Sequence, residues 1–189
     1  MPRLFVGLEI PREVGAIISG LRGGLPGARW IDVENYHITL RFLGDIDDRT
    51  ADEAADTLWD IHRAPFPVTL NGVKSFGSRK PHSIFAAVEA NPSLMALQAD
   101  IERRMQRIGL APESRRFTPH VTVARCRGTT GSAVANYLGT RGLFRAGPFM
   151  AERFVLFSSR ASQGGGPYIV EEAYPLETRQ ASATVEHRI

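Results

Sequence analysis

Two short runs carry residues able to move protons around one small anion. "NYHITLRFLGD" (residues 35–45) holds His37 and Thr39, and "FTPHVTVARCR" (117–127) holds His120 and Thr122. Both runs read as strands, in which successive side chains alternate faces. His37 and Thr39 therefore share one face and Ile38 and Leu40 the other; His120 and Thr122 likewise oppose Val121 and Val123. The apolar partners mark the buried face, so each imidazole and hydroxyl turns away from the core. Strand rise sets each histidine about 6.6 Å from its threonine at Cα, close enough to grip one small anion. Imidazole titrates near neutral pH and serves as acid or base. Two imidazoles on opposite sides of one centre suit in-line phosphoryl transfer. One deprotonates an attacking water, the other protonates the departing oxygen, and the threonine hydroxyls donate to the non-bridging oxygens. This chemistry asks for no metal or other cofactor. Spacing alone does not say which histidine plays which part.

Neighbouring residues extend the site. Arg41 shares parity with His37 and Thr39 and is expected to point into the same cleft. Arg125 has the wrong parity unless a bulge or the strand end re-aims it. Phe42, Trp30, Phe76 and Tyr168 are candidates to stack on a base, with core packing as the competing use. His62 and His82 read as surface residues, and His187 lies in the polar C-terminal stretch.

The pattern of apolar residues supplies elements to position these groups. A strand over about 3–10 leads into a helix opened by Pro11, with Val14, Ile17, Ile18 and Leu21 as its stripe. The first His-x-Thr strand runs from about 36 to 43, and Asp47 or Asp48 caps a helix reaching about 63. Strands at 66–76 and 82–90 precede a helix from Pro92 to Ile108, and the second His-x-Thr strand covers about 118–125. A weaker helix at 130–141 and closing strands near 149–158 and 167–176 complete the reading. "LFVGLEIP" (4–11) also resembles "IFAAVEANP" (84–92), with Phe5 matching Phe85 and a proline opening a helix in each. Strand, helix and His-x-Thr strand follow in the same order both times. This is the mark of an internal duplication, which would bring the two His/Thr pairs together across a pseudo-two-fold axis.

Composition permits this reading and narrows the alternatives. The chain has 189 residues, 43% of them hydrophobic, which suffices for one domain with a real core. No apolar stretch is long enough to span a bilayer, and Glu9, Arg12 and Glu13 interrupt the N-terminal apolar run, so no membrane association is expected. A single cysteine, Cys126, excludes an internal disulfide and a multi-cysteine zinc site and agrees with a reducing, cytoplasmic setting. The net charge of +3 permits a nucleotide or RNA ligand without demanding one. Nothing reads as an interface helix, and a monomer is expected.

With these motifs in view, the chain resembles the two-histidine (2H) phosphoesterases. The match is carried by "HITLRFLG", "PHVTVAR", "RLFVGLEIP", "SFGSRKPHSIFAAVE" and "FSSRASQGGGPYIVEEAYPL", across residues 3–176. The nearest branch is the RNA 2′,3′-cyclic phosphodiesterases of LigT/ThpR type, also called the 2′-5′ RNA ligase family. The resemblance implies an α+β fold: a bilobal, duplicated domain over 1–176, with two mainly antiparallel sheets flanking a central groove and helices outside. Residues 177–189 would be a polar tail. It implies hydrolysis of RNA 2′,3′-cyclic phosphate ends to 2′-phosphomonoesters, with His37 as proton donor, His120 as proton acceptor, and Thr39 and Thr122 on the phosphate. The ligand would be an RNA or oligonucleotide with such an end, or a small cyclic nucleotide. Reversible 2′-5′ ligation, 2′-5′ oligonucleotide cleavage and a non-catalytic RNA-binding module are the alternatives. The sequence departs from the family at Phe85, where an indole is more usual.

Overall fold

The computed structural model describes residues 3–159 and 166–179. Most of the "SRASQGGGP" connection and residues 180–189 of the expected tail lie outside these described residues. The elements in order are β1 (Arg3–Glu9), α1 (Arg12–Ser19), β2 (Ala28–Trp30), a 3-10 turn (Val33–Asn35) and β3 (His37–Asp45). Then come α2 (Asp48–Leu58), β4 (Phe66–Phe76), β5 (Ser83–Val88), α3 (Pro92–Arg107), β6 (His120–Cys126) and α4 (Gly131–Gly139). β7 (Arg145–Ala151), β8 (Arg153–Ser159) and β9 (Tyr168–Pro175) close the chain.

Local chemistry accounts for the helix boundaries. Asp47 caps α2 by accepting from the Thr50 amide at 2.9 Å, and Asn91 caps α3 by accepting from the Leu94 amide at 2.9 Å. Pro92 stands in the first turn of α3, where its missing N–H costs nothing. The helices bury Val14 and Ile18, Ala54 and Leu58, Leu94, Leu97, Ile101 and Met105, and Val134 and Tyr137. All of these join a single core cluster.

The strands order themselves β7-β4-β5-β6-β3-β1-β8-β9, every neighbouring pair antiparallel, with β2 added beside β6. The expected two antiparallel sheets are present as two halves, β7-β4-β5-β6 and β3-β1-β8-β9. They join through one residue pair, Ile38 opposite Val121. The order reads the same from the centre outward, so β3 answers β6, β1 answers β5, β8 answers β4 and β9 answers β7. An antiparallel pair carries its own local two-fold axis, and here that axis passes between Ile38 and Val121. The duplication thus becomes a pseudo-symmetric sheet.

One face of this sheet meets the helices. Leu4, Val6 and Leu8 of β1, Ile38 and Leu40 of β3, Ile84 and Ala86 of β5, and Val121 and Val123 of β6 are all buried there. Phe5, Val155 and Phe157 form a separate small cluster, joined by Tyr168 and Ala173. The alternation along β1 and β8 places that cluster on the opposite face.

Two elements differ from the sequence reading. The closing strand expected near 149–158 is two strands, β7 and β8, broken at Glu152. β2 is only three residues long, too short for its alternation to be read. The duplicated strands also align differently. Through the ladders, Glu9 stands opposite His37 and Gly7 opposite Thr39, while Ala87 stands opposite His120 and Phe85 opposite Thr122. Phe85 therefore answers Gly7, and Ser83 answers Phe5, two residues away from the match read off the sequence. A two-residue slip keeps the same face, which is why both phenylalanines still border the histidines. Gly7 has a steric reason to lack a side chain: a Cβ there would sit 2.7 Å from the Ile38 carbonyl oxygen.

Candidate active site

Both His/Thr pairs line one cleft of about 1490 Å³ on the face away from the helices. Continuing the antiparallel register from Ile38 and Val121 sets His37 toward Thr122 and Thr39 toward His120. The four side chains form a two-by-two array with the imidazoles on a diagonal, where Cβ atoms of an antiparallel pair lie about 7–8 Å apart.

Each imidazole is oriented by a backbone carbonyl two residues upstream. His37 Nδ1 is 2.9 Å from the Asn35 carbonyl oxygen, and His120 Nδ1 is 2.7 Å from that of Thr118. A carbonyl oxygen only accepts, so both Nδ1 atoms carry hydrogen and both rings present Nε2 to the cleft. His37 Nε2 lies 3.0 Å from Thr39 Oγ1. With His37 neutral, the threonine donates to it.

Aromatic rings wall both imidazoles. Around His37 stand Tyr168, Phe5 and Phe157, with ring centroids at 4.8, 4.9 and 5.8 Å. Around His120 stand Phe76 and Phe85 at 5.0 and 5.1 Å. Phe157 pairs with Phe5, and Phe76 with Ser83, so Phe157 and Phe76 are counterparts under the pseudo-two-fold. Burial is the main influence on both histidines. It pulls His37 down to about 4, helped by repulsion from His120 and Arg125 and opposed by the Asn35 carbonyl. His120 is also lowered by burial, opposed by the Thr118 carbonyl and helped in smaller part by Arg125. Both rings are neutral in the free protein at pH 7, poised to accept a proton once an anion enters.

A bulge after each His-x-Thr fixes what comes next. Leu40 and Arg41 together stand against Val6, and Val123 and Ala124 together against Ile84. Burial follows the same course on both strands: Leu40 and Arg41 are buried and Phe42 exposed, as Val123 and Ala124 are buried and Arg125 exposed. Arg41 still borders the cleft, but its guanidinium is not presented there as parity alone would have it. The bulge turns it toward the helices, where it is 8% exposed and ion-paired with Glu102 of α3; it also donates to the carbonyls of Phe42 and Ala111. Burial works against the Glu102 charge. Bonds from the Gln106 amide, the Glu113 N–H and Arg41 outweigh it and hold the carboxyl below its ordinary range.

The same offset delivers Phe42 and Arg125 to the cleft at matching positions. Phe42 rests against Phe5 at 5.7 Å and leaves about half its surface open. Arg125 lies near the Tyr168 hydroxyl, and its charge reaches both histidines. Trp30 lies away from this group, against Tyr137. His82, read as a surface residue, is exposed but lines the cleft stacked on Phe76 at 6.2 Å and 13°. Sequence reasoning missed Phe5, Phe85 and Phe157 as walls of the histidines. Their odd-numbered places on strands flanking the motifs were the available signal. It also missed Arg115 and Arg116, on the loop before β6.

Comparisons with known proteins give the chain a family and a fold. The sequence model of the 2'-5' RNA ligase superfamily matches residues 11–163. An RNA 2',3'-cyclic phosphodiesterase of Geobacillus stearothermophilus is 31% identical over 128 residues, 64% of this chain and 41% of that protein. Another, from Aquifex aeolicus (strain VF5), is 26% identical over 181 residues, 91% of this chain and 96% of that protein. The match thus spans less than half of the first relative's length and nearly all of the second's. The crystal structure of E. coli LigT complexed with 3'-AMP shares the fold, with a TM-score of 0.73 at 22% identity over 93% of this chain and 99% of that one. The chain belongs to the 2'-5' RNA ligase superfamily.

Proposed function

We propose that this protein hydrolyses RNA 2′,3′-cyclic phosphate ends to 2′-phosphomonoesters by acid/base catalysis between His37 and His120. The observation that carries the reading is the pair of Nε2 atoms presented to one cleft from adjacent strands, each ring fixed by its own carbonyl. A binding module has no use for two such matched groups. The relatives named RNA 2',3'-cyclic phosphodiesterase support the choice of substrate.

The cyclic phosphate enters between the imidazoles as an anion, and its charge favours protonation of one of them. His37 takes the acid role. Burial and the Arg125 charge make its imidazolium a strong acid, and a strong acid gives its proton readily to the 3′ oxygen. His120 Nε2 removes a proton from water, the water oxygen bonds to phosphorus, and the bond from phosphorus to the 3′ oxygen breaks. The ribose leaves with a 3′-hydroxyl and a 2′-phosphate. Thr39 and Thr122 donate to the non-bridging oxygens as charge develops there. Arg125 adds a fixed positive charge, and Phe42 and Tyr168 offer flat surfaces to the terminal base. No step calls on a metal or other cofactor, and the protein acts as a monomer in the cytoplasm. Ligation is the same path reversed, with a 5′-hydroxyl in place of water.

The test is to incubate the protein with EDTA and a short RNA bearing a 2′,3′-cyclic end, then to resolve 2′- from 3′-phosphate products. A 2′-phosphate is expected. A 3′-phosphate, or binding without turnover, overturns the reading.

A further inference from the structure

The cleft is larger than its reacting centre requires. Sites for small molecules span about 300–1,000 Å³, and this one measures about 1490 Å³. Its lining takes in the loop of residues 109–119, which contributes Glu113, Arg115, Arg116, Phe117 and Thr118.

Most cations of the cleft already have partners. Arg3 pairs with Asp45 at 3.4 Å, Arg41 with Glu102 in the interior, and Arg125 lies between Tyr168 and the histidines. Two differ. Arg116 is exposed and has no acidic partner among the described residues. Arg115 is 79% exposed and spends only its Nε on Glu113, at 3.3 Å.

The loop that carries them is held in place although it has no regular structure. Glu102 of α3 accepts from the Glu113 amide at 3.0 Å and from Arg41, while Arg41 donates to the Ala111 carbonyl. Glu113 in turn accepts from the Arg115 amide at 3.1 Å. The anchor of the loop is thus a buried ion pair that starts two residues from Thr39. The loop ends at Thr118, whose carbonyl orients His120. The Arg41 position has only Ala124 as its counterpart in the other half, so one side of the cleft alone is built this way.

We propose that this loop is a subsite for the RNA strand leading to the cyclic end, with Arg115 and Arg116 on its backbone phosphates and the Arg41–Glu102 pair holding the loop over the cleft. The inference rests on the proposed activity and narrows its substrate class: an oligonucleotide is turned over more efficiently than a cyclic mononucleotide.

The experiment compares kcat/KM for a 2′,3′-cyclic mononucleotide and for a short RNA with the same terminal nucleotide, across a salt series. The wild-type protein favours the RNA, and its advantage fades as salt rises. Arg115→Ala/Arg116→Ala lowers the RNA-to-mononucleotide ratio about tenfold, from two exposed charge contacts. It also flattens the slope of log kcat/KM against log salt for RNA, by about 0.7 per arginine. Arg115→Lys/Arg116→Lys restores the slope, because a backbone phosphate reads charge. An unchanged ratio in the alanine variant overturns the inference, as does failure of the lysine variant to restore the slope. Absence of wild-type turnover on both substrates removes the activity instead.

Discussion

The His37 half and the His120 half of the cleft share a backbone plan but not a lining. Each contributes a histidine held through Nδ1 by a carbonyl two residues earlier, a threonine two residues later, and a bulge directly after. Beyond the bulge they diverge. The first half places Phe42 where the second places Arg125, buries Arg41 where the second has Ala124, and leaves Gly7 bare where the second has Phe85. What is repeated is what acid/base chemistry needs from both sides of a phosphate. What differs is what an asymmetric ligand needs, with a base-sized surface on one side and a fixed charge on the other.

The first way to break the comparison is to remove its repeated part. His37→Ala and His120→Ala each cut turnover of a cyclic-ended RNA by about 10²-fold or more in a steady-state assay. The double variant loses far less than the product of the two, since the pair acts as a unit. Full additivity would mean that the two halves act on separate events.

The unrepeated ion pair comes next. Arg41→Met leaves the partly buried Glu102 carboxylate with only its Gln106 and Glu113 bonds and costs about 1–3 kcal/mol by denaturant unfolding. Arg41→Met with Glu102→Leu recovers most of that loss. Ala124, fully buried and with no such partner, is predicted to lose about 1–3 kcal/mol on substitution by Ser, which buries an unpaired hydroxyl.

Gly7 and Phe85 sharpen the contrast at one rung. Gly7→Ala drives a Cβ against the Ile38 carbonyl and the Phe157 ring, at a cost of about 1–3 kcal/mol in thermal or chemical unfolding. Phe85→Ala leaves a void beside His120 instead, at about 3 kcal/mol or more.

Phe42→Ala raises KM for RNA several-fold with little effect on kcat, as loss of one exposed stacking surface should.

The remaining prediction concerns pH dependence. His37 titrates at about 4 when folded and at 6.5 when free. As pH falls, the unfolded chain takes the proton first, so stability present above pH 6.5 is lost on acidification toward 4, by at most about 1.4 kcal/mol per unit. His37→Gln removes the His37 share of this dependence and leaves that of His120. In catalysis, the bell for kcat/KM reports the free protein and lies below pH 6.5. The bell for kcat lies higher, because bound phosphate raises both imidazoles.

The residues most plainly written in the sequence were those fixed by period alone. His37, Thr39, His120 and Thr122 sit on one face because two-residue alternation leaves no other choice, and the repeat of strand, helix and strand required that they meet. Arg125 reaches the cleft and Arg41 turns its guanidinium inward because a bulge inserts one residue and inverts parity, a possibility open for Arg125 that nothing in "LRF" or "VAR" could settle. Phe5 and Phe85 looked equivalent because a two-residue slip preserves the face. The Arg41–Glu102 pair joins residues 61 apart, a contact set by how α3 lies on β3, which no local pattern encodes. The split between β7 and β8 falls at Glu152, beside Arg153, between the apolar runs of the two strands.

The central claim is that two imidazoles act across one phosphate. It is tested most directly by following the ¹⁵N resonances of His37 and His120 through a pH titration, with and without a nucleoside 2′-phosphate. The account predicts that both imidazoles titrate below 6.5 in the free protein and that both rise on binding, each through Nε2 with Nδ1 remaining protonated. A ligand that moves one imidazole and leaves the other where it was would contradict it.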